Sequence, residues 1–113
     1  MVYEYRAKII EVVDGDTVTA EVNLGFRVLV RMRLRLEGID APETFGVPKD
    51  SEEYKAGMKA KEWLQARIFG KNCMIETFKD KQEKYGRYLA TVFVEGVNVN
   101  QEFLGTGLVK AYG

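Results

Sequence analysis

Apolar and polar residues alternate along the first third of the chain with the period of two that marks strands. Residues 3–13 are rich in aromatic and β-branched side chains and predict a first strand. Asp14-Gly15-Asp16 reads as a turn, after which Val18, Ala20, Val22 and Leu24 fall on one side of a second strand. Gly25 turns the chain again. The third strand has the clearest pattern: Phe26, Val28, Val30, Met32, Leu34 and Leu36 share one face, while Arg27, Arg31, Arg33 and Arg35 share the other. Successive side chains of a strand point to opposite sides, so this spacing separates an apolar face from a basic one.

The period then changes. Residues 44–50, with Gly46 and Pro48, predict a loop, and Asp50 followed by Glu53 has the spacing of a capping box. Ala56, Ala60, Trp63, Leu64 and Ile68 line the inward side of a helix over 51–69, closed by Gly70 at the position where a helix takes a C′ glycine. Two more strands, near 72–79 and 87–94, flank a charged loop at 80–86. A short closing helix starts near Asn98 or Asn100 and ends by Gly105 or Gly107. The order predicts a mainly β protein with helices (α+β). Its expected architecture is a five-stranded Greek-key barrel of the OB type, with a helix between strands 3 and 4 and a short C-terminal helix. No repeat or linker interrupts the pattern, so residues 1–113 are expected to form a single domain.

Composition narrows the chemistry more than the fold does. The chain has no histidine, which removes serine–histidine and cysteine–histidine catalysis, histidine metal ligands and a histidine base together. A single cysteine, Cys73, sits among apolar, β-prone neighbours and reads as a buried inert thiol. Catalysis must therefore rest on carboxylates, Lys, Arg, Tyr or a hard metal. Net charge is zero, so any attraction for nucleic acid has to come from where the charges sit. No apolar run approaches the roughly 18–20 residues that span a bilayer, and no membrane association is expected. The first residues do not read as a signal peptide, which suits a cytoplasmic protein or a mature secreted form equally.

Four short stretches carry candidate chemistry, and each has an ordinary reading of its own. Asp14-Gly15-Asp16-Thr17 is a good hairpin turn, Asp40-Ala41-Pro42-Glu43 a plain strand exit, and Lys84-Tyr85-Gly86-Arg87 a charged turn into a strand. Arginines alternating along a strand are usually a solvated face. Their combination and order are another matter. With Arg35-Leu36-Glu37-Gly38-Ile39 before Asp40, and with Asn100 and Gly107-Leu108-Val109-Lys110 near the end, the chain resembles the staphylococcal nuclease family along nearly its whole length.

The resemblance implies one Ca²⁺ held by Asp16, Asp40 and the backbone carbonyl of Ala41, an all-oxygen set that suits a hard cation with water completing the shell. It implies that Glu43 orients or deprotonates the attacking water, and that Arg35 and Arg87 grip the phosphate through guanidinium forks. Lys84 and Tyr85 match positions that hold a terminal phosphate and flank the bound nucleotide. A tyrosine near the end of the family's closing helix falls within one residue of Tyr112. Arg27, Arg31 and Arg33 match no family role and read as solvated or shielding side chains.

The implied activity is a calcium-dependent nuclease acting on DNA, RNA or both, preferring single strands. Water attack in line at phosphorus would leave 3′-phosphate products, and the protein is expected to be a monomer. Ala41 stands where the best-known members carry threonine, the loop after Glu43 differs from theirs, and their long third helix has no counterpart here. Two alternatives stay open: a catalytically silent binding module of the same fold, and a plain single-strand binder on an OB barrel.

Overall fold

A computed structural model describes residues 2–82 and 86–112, with the side chains of 78–82 outside that description. Its elements run β1 (Val2–Asp14), β2 (Thr17–Asn23), β3 (Leu29–Leu36), β4 (Ile39–Asp40), α1 (Glu52–Ile68), β5 (Asn72–Gln82), β6 (Tyr88–Val94), β7 (Val97–Asn98), α2 (Val99–Leu104) and β8 (Lys110–Ala111).

β1 does the work of two strands. Residues 2–8 pair with β5 and residues 6–14 with β2, so Arg6, Ala7 and Lys8 serve both, and register shifts at Ile9/Glu11 and Val12/Asp14 bend the stretch that pairs with β2 alone. The sheet order is β3-β2-β1-β5-β6-β7. A parallel pairing of β3 with β6, Leu34 to Tyr88 through Leu36 to Ala90, joins the ends and closes the five long strands into a ring. The expected OB-type order, with α1 between the third and fourth long strands, is what the structure shows. Ile9, Val18, Leu34, Leu36, Ile75 and Val92 fill the ring and are fully buried. Leu64 and Ile68 of α1 and Phe103 of α2 are equally buried, in the same core.

The third strand is shorter than its alternation predicts. Gly25, Phe26 and Arg27 all have positive φ (86°, 52° and 64°), a backbone that no strand can continue through. These three residues form the tip of the β2–β3 hairpin. Phe26 is therefore fully exposed, and Leu24 and Val28 stand outside the core as well. From Val30 onward the expected faces hold, with Leu34 and Leu36 inside and Arg31 and Arg33 outside.

α1 begins one residue later than the capping box predicts. Ser51 is the cap: its hydroxyl accepts from the Tyr54 N–H (3.1 Å) and donates to the Pro48 carbonyl (2.6 Å). An ionised aspartate could only accept, so serine serves both bonds where Asp50 could not. Gly70 takes the positive φ of 73° expected of it, and its N–H reaches the Ile9 carbonyl. Trp63 is only half-buried. It lies flat on Phe103, with centroids 4.5 Å apart and planes 11° apart, and so joins the two helices instead of entering the barrel. Asn98 caps α2, whereas Asn100 is buried inside it.

Candidate active site

The β1–β2 turn and the exit of β3 meet at one end of the barrel. In the turn, the Asp16 N–H donates to Asp14 Oδ1 (3.1 Å) and the Thr17 hydroxyl to Asp16 Oδ1 (3.0 Å). The Ala41 N–H donates to Asp16 Oδ2 (3.3 Å) across twenty-five positions of sequence, which ties the turn to the strand exit. Close packing permits this. A Cβ on Gly15 would stand 2.8 Å from that of Ala41 and 3.0 Å from that of Ala60 in α1. Gly57, one helical turn earlier, lies so near the 42–44 backbone that a Cβ there would meet the Pro42 carbonyl at 2.7 Å.

Arg35 occupies the centre. Its Nη1 donates to the Ile39 carbonyl (2.6 Å) and the Leu36 carbonyl (3.3 Å), which fixes the guanidinium across the β3–β4 turn. Its Nη2 faces two carboxylates, 3.6 Å from Asp16 Oδ2 and 4.0 Å from Asp40 Oδ1. The Tyr112 ring covers it at 5.0 Å, held there by a bond from the Tyr112 N–H to the Gly38 carbonyl and by the pairing of β8 with β4. Arg87 donates from Nη1 to the hydroxyl of Thr17 (2.8 Å), the cross-strand neighbour of Arg35.

These groups line a cleft of about 670 Å³ that takes in Asp14, Asp16, Arg35, Asp40, Ala41, Glu43 and Arg87. Six residues singled out in the sequence thus share one cleft, from three separate stretches of chain. Lys84 and Tyr85 lie outside the described residues. Asp14, Thr17, Arg33 and Phe45 line the cleft without having been singled out as site residues. Arg33 was legible in principle, because it stands two positions from Arg35 on the same face of one strand.

Four carboxylates and three guanidiniums line this cleft. Burial, reinforced by the neighbouring Asp16 and by the charge of Glu43, pushes the Asp14 carboxyl up to about 6 from its ordinary 3.8. Among the described residues no three acidic, histidine or cysteine side chains converge on a point. A metal here would have two carboxylates, Asp16 and Asp40, with backbone carbonyl oxygen and water for the rest. That hard, sparse donor set fits Ca²⁺.

A family model described as staphylococcal nuclease homologue matches residues 33–113. An uncharacterised protein of Methanocaldococcus jannaschii is 33% identical over 96% of this chain and 59% of its own length. Endonuclease YhcR of Bacillus subtilis is 33% identical over 96% of the chain, which corresponds to 9% of that protein. A thermonuclease of Staphylococcus hyicus is 28% identical over 96% of the chain and 60% of its own length. The chain thus spans well under two thirds of each of these relatives.

Proposed function

The chain belongs to the staphylococcal nuclease homologue family, and on that premise we propose that it is a calcium-dependent nuclease. It hydrolyses phosphodiester bonds of single-stranded DNA or RNA and leaves 3′-phosphate ends. The observation that carries the reading is the meeting of Asp16, Arg35, Asp40, Glu43 and Arg87 in one cleft.

Asp16, Asp40 and the Ala41 carbonyl would hold the ion. When bound, it would neutralise charge on the scissile phosphate. The other roles belong to the chain itself. Glu43 stands exposed at the rim, reachable by water, and takes the proton of the attacking water as the base. Arg35 is already oriented by two backbone carbonyls, so its remaining N–H groups meet the phosphate without reorganisation. Arg87, positioned through Thr17, stabilises charge growing on the phosphate oxygens. Bond breaking falls between phosphorus and the 5′ oxygen, which leaves as the alcohol with a proton from solvent and leaves the phosphate on the 3′ side.

The test is cleavage of single-stranded DNA and RNA in Ca²⁺ and in chelator, with the product ends identified. Asp16→Ala should weaken Ca²⁺ binding in a calorimetric titration, since it removes one of two charged ligands. Full activity in chelator, or unchanged Ca²⁺ affinity in Asp16→Ala, would overturn the assignment. Binding of single strands without cleavage under any divalent ion would favour a silent module.

A further inference from the structure

The outward face of β2 and β3 does not stop at the cleft. Cross-strand pairs continue along it: Arg35 opposite Thr17, Arg33 opposite Thr19, Arg31 opposite Glu21 and Leu29 opposite Asn23. Side chains two positions apart on a strand are about 7 Å apart on one face. Arg35, Arg33 and Arg31 therefore make an evenly spaced basic row that leaves the cleft along β3. Arg33 lines the cleft wall, and both it and Arg31 are exposed. Neither makes an ion pair or a side-chain hydrogen bond among the described residues, in contrast to Arg35. Glu21 is the carboxylate that faces Arg31 across the ladder, and Lys8 flanks it on its other side.

At its far end the row enters a groove of about 590 Å³. One register line crosses five strands there: Leu29, Asn23, Arg6, Met74 and Phe93. Leu29 and Met74 are exposed, Arg6 stands between Asn23 and Met74, and Lys8, Glu21 and Glu95 also line the groove. Apolar surface beside cations is what a base and its phosphate ask for together. Arg35 and Leu29 are six residues apart, roughly 20 Å along the strand.

We propose that this face carries the substrate strand away from the scissile phosphate, with Arg33 and Arg31 each gripping a phosphate and the groove receiving a base. The inference rests on the nuclease reading of the cleft and adds to it the path of a longer strand. Continuity with the cleft favours a nucleic-acid strand over another occupant, and so does the fit of guanidinium forks to phosphate. With no net charge on the protein, capture of a strand depends on such local rows.

The experiment compares a dinucleotide with a single strand of about twelve nucleotides, within the usual span of such sites. Cleavage and salt-dependent binding are measured for the parent, for Arg31→Gln/Arg33→Gln, and for Lys55→Gln/Lys59→Gln on the exposed side of α1 as an equal change in net charge. The arginine pair should raise KM for the long strand several-fold more than for the dinucleotide. Its logarithmic salt slope for the long strand should fall by about 1.4, at ~0.7 for each phosphate that an arginine no longer neutralises. An equal KM shift at both lengths, or the same slope change in the lysine control, overturns the path. So does displacement of the strand by polyglutamate as readily as by polythymidylate, which would give the face to acidic chains in general. A parent that cleaves neither substrate and binds no strand overturns the nuclease reading together with the path. A parent that cleaves both while the arginine pair behaves like the control overturns the path alone.

Discussion

Two polar groups grip the same turn between β3 and β4, and they are built differently. Asn100 is buried, and its amide is used up: it accepts from the Val92 N–H (3.0 Å) and donates to the Glu37 carbonyl (2.9 Å) and the Ala90 carbonyl (3.1 Å). Arg35 takes the Leu36 and Ile39 carbonyls, but its other edge faces two carboxylates across an open cleft. One is a neutral knot with every partner inside the protein. The other is a charged centre that opens onto a cleft. A turn clamped by both has the rigidity of the first and can lend it to the second.

The sharpest way to separate them is to remove function without touching structure. Glu43→Gln should lower single-turnover cleavage by ~10²–10⁴-fold, the usual weight of a general base. Because Glu43 is exposed, its unfolding free energy should stay within about 0.5 kcal/mol of the parent. Cleavage at the parent rate would mean that the open centre lacks the base assigned to it. Asn100→Ala should do the converse. It strands the Val92 N–H and the Glu37 carbonyl, at about 1–3 kcal/mol for each group, so a loss of roughly 2–6 kcal/mol is expected in urea. KM of the folded variant should not change, and a shifted KM would show that the knot reaches into the cleft.

A smaller effect is expected from Trp63→Ala. Its ring holds Phe103 of α2 from outside the core, so the loss should be about 2 kcal/mol, below the 3–5 of a fully buried aromatic. The cleft should be unmoved, which kinetics below the melting range would check. The smallest effect concerns Asp14. Its folded carboxyl titrates near 6, above the ordinary 3.8, so the folded protein holds the proton more tightly than the unfolded chain. That contribution is complete below pH ~3.8 and is lost as pH rises through ~6. Solvent screening of a part-exposed group keeps it under about 1 kcal/mol. Thermal melts of the metal-free protein across that window should therefore slope downward in this term, and Asp14→Asn should flatten it.

Much of this could be read from the residues. The barrel order, the long helix and its glycine stop follow from periods and turn residues that act locally. The errors fall where local signals compete. At Phe26 a perfect alternation lost to a turn that needs three positive φ values in a row. At residues 50 and 51 two good caps stood side by side, and only the second could also donate to Pro48. Asn98 and Asn100 look alike as caps, and what distinguishes them is the distant Glu37 carbonyl that Asn100 meets. The make-up of the cleft was legible, in that Asp16, Arg35, Asp40, Glu43 and Arg87 do meet there. Its surroundings were not legible: Thr17 behind Arg87, and the upward push on Asp14, exist only once the segments meet.

Gly15 and Gly57 let a loop, a turn and the middle of α1 press against one another with almost no side chain between them. The helix backbone is therefore the floor on which Asp16 and Glu43 rest, although no residue of α1 lines the cleft. A ligand that draws the turn and the loop together must also tighten their seat on that floor. Filling the cleft should then slow amide hydrogen exchange in the central turns of α1, around residues 57–61, while the ends of the helix go on fraying as before.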